Sequence, residues 1–197
     1  AARPSATTTS PRPEPAARSW RPGVALAVGS DTTEQITAFY DRLGIEALEI
    51  YRDPTSRSLP AFRAYAEAVL ANAKALAAAL MDRQVKLVTG GTDNHLIVID
   101  TVQSFGIDGA VAQEALDRVG LTTNKQVVPD DPNPPMRPSG IRLGTPAPTA
   151  RGMGEAEMAE IGAIIAEILA AKGDRAAEEK LAARTRVLTS RFPVPGL

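Results

Sequence analysis

The most regular pattern in the chain runs from Leu59 to Asp82. Phe62, Tyr65, Ala66, Val69, Ala73, Leu76 and Leu80 recur at steps of three and four, which places their side chains on one face of an α-helix. Alanine, the strongest helix former, is abundant here, so the spacing predicts one long helix with a single apolar stripe. A second stripe, Met158, Ile161, Ile165 and Leu169, marks "GEAEMAEIGAIIAEILAAKG" as another amphipathic helix. A charged helix follows over roughly Arg175 to Thr189. "DGAVAQEALDRVG" reads as a helix capped by Asp108 and stopped by Gly120.

Three stretches carry strand signals instead. "VKLVTG" and "HLIVIDTV" are β-branched runs on either side of a glycine-rich knot, a spacing that suits a hairpin with a longer, ordered loop. "SGIRLGTPA" predicts a further short strand. Between them, "NKQVVPDDPNPPMRP" holds five prolines, which exclude interior helix or strand over most of its length. The order from Leu59 is therefore helix, strand, strand, helix, strand, helix, helix. That is an α+β domain, one sheet with helices packed on one face.

Upstream the pattern weakens. Residues 1–22 are dominated by Pro, Ala, Ser, Thr and Arg and bury too little to offset their ordering entropy, so a disordered leader is expected. "GVALAVGS" reads as a short buried strand. "DTTEQITAFYDRLG" reads as a helix with Asp31 as N-cap, Glu34 as its capping-box partner and Gly44 as its stop. Residues 45–58 show no clean period.

Composition removes several classes of function. The chain has 197 residues, 22 basic and 23 acidic side chains and a net charge of -1, so no global field draws it to nucleic acid or to a membrane surface. No apolar run reaches the roughly 20 residues of a membrane span. There is no cysteine, which excludes thiolate sites and disulfides. The leader is Arg-rich but has no apolar core, so it is not a secretory signal. A cytoplasmic location is expected, with an organellar transit peptide left open.

Two constellations could carry chemistry. In "GGTDNHL", Gly90 and Gly91 permit positive φ, and Asp93 and Asn94 can bond their own backbone in a tight turn. His95 is the only histidine in the chain. It is either a turn histidine or, with Asp93, an acid or base. A lone histidine without a second ligand fits no metal pattern. In "SGIRLGTPAPTARG", strand alternation puts Arg142 on the face opposite Ile141 and Leu143. A guanidinium on a rigid strand, with Gly140 and Gly144 leaving the backbone bare on both sides, can grip a carboxylate through two parallel hydrogen bonds. An exposed or ion-paired strand arginine is the alternative.

"GGTDNHLIVID", "TNKQVVPDD" and "SGIRLGTPAPTARG", in that order and spacing, closely resemble the C-terminal region of serine hydroxymethyltransferases. "PAFRAYAEAVLANAKALAAAL" is similar to that family's long helix before the same knot. The resemblance covers about Pro60 to Gly173. It implies the small C-terminal domain of the aspartate-aminotransferase-like fold (fold type I of the pyridoxal-phosphate enzymes) over residues 59–197. Residues 23–58 would be a poorly matched remnant of the large-domain edge.

The resemblance also implies an activity and its ligands. The family uses pyridoxal phosphate and moves a one-carbon unit between serine and tetrahydrofolate, leaving glycine. Arg142 matches the arginine that binds the substrate carboxylate. Gln126 falls where many bacterial members have an asparagine that helps hold the folate. The knot, Gly90, Gly91, Thr92, Asp93, Asn94 and His95, matches a signature with a mainly architectural role.

The cofactor lysine of the family's "TTTHK" run has no counterpart. Ser10 and Pro11 stand where its histidine and lysine would align, and the "QGGP" loop is missing. The catalytic lysine is thus expected to be absent from this polypeptide, and two readings follow. The chain contributes to serine–glycine interconversion when a large domain is supplied, or it is an inactive fragment or interaction domain. Removal of the large domain would uncover apolar helix flanks, which implies self-association or pairing with a full-length relative.

Overall fold

A computed structural model describes residues 60–194 and the short strand Leu26–Ala27. The predicted leader, the helix over 31–44 and the irregular stretch 45–58 lie outside the described residues. Strand β1 (Leu26–Ala27) falls within the predicted strand 23–30 and pairs in parallel with β3 (Leu121–Thr122).

Helix α1 spans Pro60–Met81. Its C-terminal two thirds bury the expected stripe through Val69, Ala73, Leu76 and Leu80, whereas Phe62, Tyr65 and Ala66 are only partly covered. The stripe also contains a polar residue, Asn72, which is 2% exposed. Helix α5 (Glu155–Ala171) packs along α1. Ala79 and Gly162 meet across this contact, where a Cβ on the glycine would lie 2.9 Å from that of the alanine. Small residues let the two backbones come together. Ile164 and Ile168 are fully buried beside Met158, Ile161, Ile165 and Leu169, so α5 is enclosed on more than the one face its stripe predicts.

The central sheet has three antiparallel strands, β2 (Leu96–Asp100), β5 (Gly140–Gly144) and β4 (Asn124–Gln126), in the order β2-β5-β4. Ile97, Ile99, Ile141 and Leu143 point into the core with Leu76, Leu80, Leu116, Met158 and Ile161. The opposite face is open around Arg142 and Asn124, which are exposed. This is an α+β domain.

Several elements depart from the pattern. "VKLVTG" is not a strand: only Leu87 forms an antiparallel bridge, to Ile99, and residues Val88–Gly90 then turn in a 3-10 helix. Thr89, Gly90 and Gly91 have φ of 71°, 69° and 154°, outside the range a continuing ladder needs. The "HLIVIDTV" strand begins at Leu96 and stops at Asp100. The Asp100 side chain accepts from the Gln103 N–H and starts α2 (Thr101–Phe105). Likewise "SGIRLGTPA" is strand only to Gly144, and α4 (Pro146–Ala150) follows.

The remaining helices match their signals. Helix α3 (Gly109–Arg118) is capped by Asp108, whose carboxylate accepts from Val111 N–H at 2.9 Å. Helix α6 (Arg175–Arg191) is capped by Asp174. Arg151 fastens the far end of α6: its guanidinium donates to the carbonyls of Phe192 at 2.7 Å and Thr189 at 3.1 Å. A cation at a helix C-terminus is favourable through the exposed carbonyls, although burial lowers the pKa of this guanidinium.

Candidate functional site

Arg142 is the middle residue of the central strand, β5. Its neighbours in register are Val98 on β2 and Asn124 on β4. Because side chains alternate along a strand, Val98, Arg142, Asn124 and Gln126 share the open face of the sheet. Arg142 and Asn124 are exposed, while Val98 and Gln126 are half-buried. The apolar Val98 beside the arginine offers a surface for the aliphatic part of its side chain.

The charge of Arg142 is unspent. Among the described residues the ion pairs belong to Arg118, Arg137, Arg184 and Arg191. The Arg142 side chain makes no hydrogen bond or ion pair with any of the described residues. A planar fork of donors, fixed at its base by strands on both sides and free at its tip, can bind a carboxylate in bidentate fashion.

Gln126 and the glycine knot flank this arginine at opposite ends of β5. Gln126 is in register with Gly140, and Leu96, next to the knot, with Gly144. Each lies two residues along the ladder from Arg142, about 7 Å at the usual strand rise. The Gln126 carboxamide donates to the Val127 carbonyl at 3.1 Å, which leaves its own oxygen available.

The knot is cross-braced internally. Thr92 Oγ1 donates to the Leu96 carbonyl at 2.6 Å and accepts from Asn94 N–H at 3.2 Å. Asn94 Oδ1 accepts from Leu96 N–H at 2.7 Å. His95 joins through its backbone, its carbonyl accepting from Thr145 N–H at 3.2 Å, and its side chain is exposed, as is that of Asp93. Among the described residues no cluster of His, Asp or Glu could hold a metal.

The glycines beside Arg142 do something other than leave the backbone bare. A Cβ on Gly140 would come within 2.7 Å of the Val128 side chain and 2.8 Å of the Ile99 carbonyl, and one on Gly144 within 2.9 Å of the His95 carbonyl. Both are filled by packing. Val128 belongs to the proline-rich segment, which Asp131 folds back onto β5. The Asp131 carboxylate accepts from the N–H groups of Val128, Asn133 and Ser139 and from the Ser139 hydroxyl. These bonds, led by the Ser139 hydroxyl, lower its pKa to about 2.

Asn124 was hidden from sequence reasoning because only the strand register brings it opposite Arg142. Alternation would have revealed the face, but not the neighbour.

Five lysines are present, and all are exposed: Lys74 on α1, Lys86 before the bridge, Lys125 on β4, Lys172 after α5 and Lys180 on α6. Lys125 stands on the edge strand rather than in the proline-rich loop, and donates to the Met136 carbonyl at 3.1 Å. None is desolvated, the setting in which a lysine becomes a nucleophile toward an aldehyde cofactor. No described lysine therefore has the setting of a cofactor-binding amine.

The site thus defines an α+β domain presenting one unpaired guanidinium and two carboxamides on an open sheet face. A family model for serine hydroxymethyltransferase matches residues 55–165. The chain is 49% identical over 139 residues to the serine hydroxymethyltransferase of Rippkaea orientalis, covering 70% of this chain and 32% of that relative. It is 51% identical over 144 residues to that of Acidothermus cellulolyticus, covering 70% and 34%. The chain belongs to the serine hydroxymethyltransferase family. It spans about a third of the length of these curated relatives. Membership implies the use of pyridoxal phosphate and folate in the family generally. No described helix is long and apolar enough to cross a membrane.

Proposed function

We propose that this chain supplies the amino-acid side of a serine hydroxymethyltransferase site, the small C-terminal domain of the aspartate-aminotransferase-like fold. The reaction is the interconversion of serine and glycine with tetrahydrofolate as carrier of the one-carbon unit. Arg142 holds the substrate carboxylate, and Gln126 contributes a hydrogen bond to the folate. The single observation that carries the reading is the unpaired guanidinium of Arg142 on the open face of a rigid three-stranded sheet.

Pyridoxal phosphate supplies the electron sink for this chemistry. On this reading its site belongs to the two thirds of the family's length that this chain does not match, and the exposure of every lysine here supports that. The residues of this domain orient the amino acid. Exposed apolar side chains, among them Val127, Met136 and Val187, support self-association or pairing with a full-length relative. Light scattering at high concentration tests that pairing, and a clean monomer counts against it.

Domain exchange tests the functional reading. Residues 60–191 replace the matching stretch of the Acidothermus cellulolyticus relative, and serine cleavage is measured with folate present. Retained activity is expected. A folded, cofactor-loaded exchange enzyme that binds neither serine nor glycine would contradict the proposal.

A further inference from the structure

We propose that Asn124 is a positioning residue for Arg142, holding the place across the strand with a neutral group so that the guanidinium keeps its charge for the ligand. The inference rests on the reading of Arg142 as the carboxylate-binding residue. Asn124 and Arg142 are direct antiparallel partners on β4 and β5, where side chains facing the same way stand about 5 Å apart at Cβ. Both are exposed, and neither side chain makes a hydrogen bond with any of the described residues.

On the other flank, Val98 offers no polar atom. Asn124 is therefore the one polar side chain in direct register with the arginine. Nearby carboxylates are engaged elsewhere: Asp100 with the Gln103 N–H, Asp131 with its four donors.

A carboxamide suits this position on two counts. Its oxygen accepts a guanidinium N–H left over when two others grip a carboxylate, which sets the plane of the fork. Its neutrality matters as much. Opposite charges directly across a strand attract, so an acid at 124 would pair with Arg142 and compete with the incoming carboxylate. A residue that merely filled space would show no preference for the sign of its replacement.

The test uses the exchange enzyme in three forms: Asn124→Asp, Asn124→Ser and Arg142→Lys. Asn124→Asp should raise KM for serine on the order of fivefold, the strength of an exposed ion pair, with kcat little changed. Asn124→Ser, neutral and able to accept a hydrogen bond, should stay within about twofold of the parent. Equal KM values for the Asp and Ser variants would overturn the inference. If Arg142→Lys also leaves serine binding untouched, it is the carboxylate reading itself that fails.

The full 197-residue chain gives a second readout that needs no exchange. Carboxyl NMR on Asn124→Asp should show the new carboxylate titrating about half a unit lower with Arg142 present than with Arg142→Met. Identical titrations would likewise overturn the proposal.

Discussion

Replacing Asn72 by leucine should cost this domain about 2–4 kcal/mol. Asn72 sits on the buried stripe of α1, and its Nδ2 group donates to Thr149 Oγ1 at 2.8 Å and to the Met153 carbonyl at 2.9 Å. Thr149 Oγ1 in turn donates to the Thr145 carbonyl, and Thr145 Oγ1 to the Val69 carbonyl. These bonds tie α1 to the segment that leaves β5, and so to the base of Arg142. Leucine copies the branched shape of asparagine but is bulkier and has no donor, so two interior acceptors would lose their partner, at about 1–3 kcal/mol each. Added apolar burial offsets part of that, which gives the net figure.

Urea unfolding of the full chain, followed by far-ultraviolet circular dichroism, measures the effect. In thermal unfolding followed by the same signal, the melting temperature of a domain of this size should fall by roughly 3–5 °C per kcal/mol. A double-mutant cycle with Thr149→Val should show coupling of about 1 kcal/mol, because each change removes part of the same bond. A loss below about 0.5 kcal/mol for Asn72→Leu, or strict additivity in the cycle, would refute the reasoning.

Thr123 is 3% exposed and its hydroxyl has no hydrogen-bond partner among the described residues, so Thr123→Val should stabilise the chain by about 1 kcal/mol in the same denaturation assay. Glu178 accepts two bonds from the Arg118 guanidinium, at 2.6 and 3.0 Å, and that bonding holds its carboxyl below the usual value of 4.5. Its contribution is therefore present above about pH 4.5 and lost as pH falls through the lower folded value; Glu178→Gln should destabilise at neutral pH, and its difference from the parent should shrink toward pH 3 in calorimetry. Because all five lysines are exposed, the full chain alone mixed with pyridoxal phosphate should give no saturable visible band that responds to glycine, and such a band would reveal a buried lysine site.

Local signals made most helices legible. The stripes of α1 and α5, the caps Asp108 and Asp174 and the charged run of α6 each depend on residues close in sequence. The misreadings arose where a strong local preference met a competing cap or turn. Leu-Ile-Val-Ile argued for a strand running through Thr101, but Asp100 caps a helix there. "SGIRLGTPA" argued for a strand reaching Ala147, yet Pro146 and Pro148 occupy the first turn of α4, where a missing N–H costs nothing.

Long-range contacts were invisible. Nothing near Asp131 announces that Ser139 will donate to it twice. Nor does the sequence around Gly109 show that a Cβ there would strike the Gly140 carbonyl. Arg142 could be picked out because alternation on a short strand separates it from Ile141 and Leu143; its neighbours Val98 and Asn124 required the register.

The most direct measurement of the central claim is serine affinity in the exchange enzyme carrying Arg142→Lys. Lysine keeps the charge but turns a two-bond fork into a single point, removing about 1.5–3 kcal/mol of charge-assisted bonding. Serine Kd, read from the spectrum of the bound cofactor, should therefore rise by roughly 10- to 150-fold while cofactor content stays that of the parent. An unchanged Kd in a folded, fully loaded enzyme would show that the guanidinium of Arg142 does not hold the substrate carboxylate.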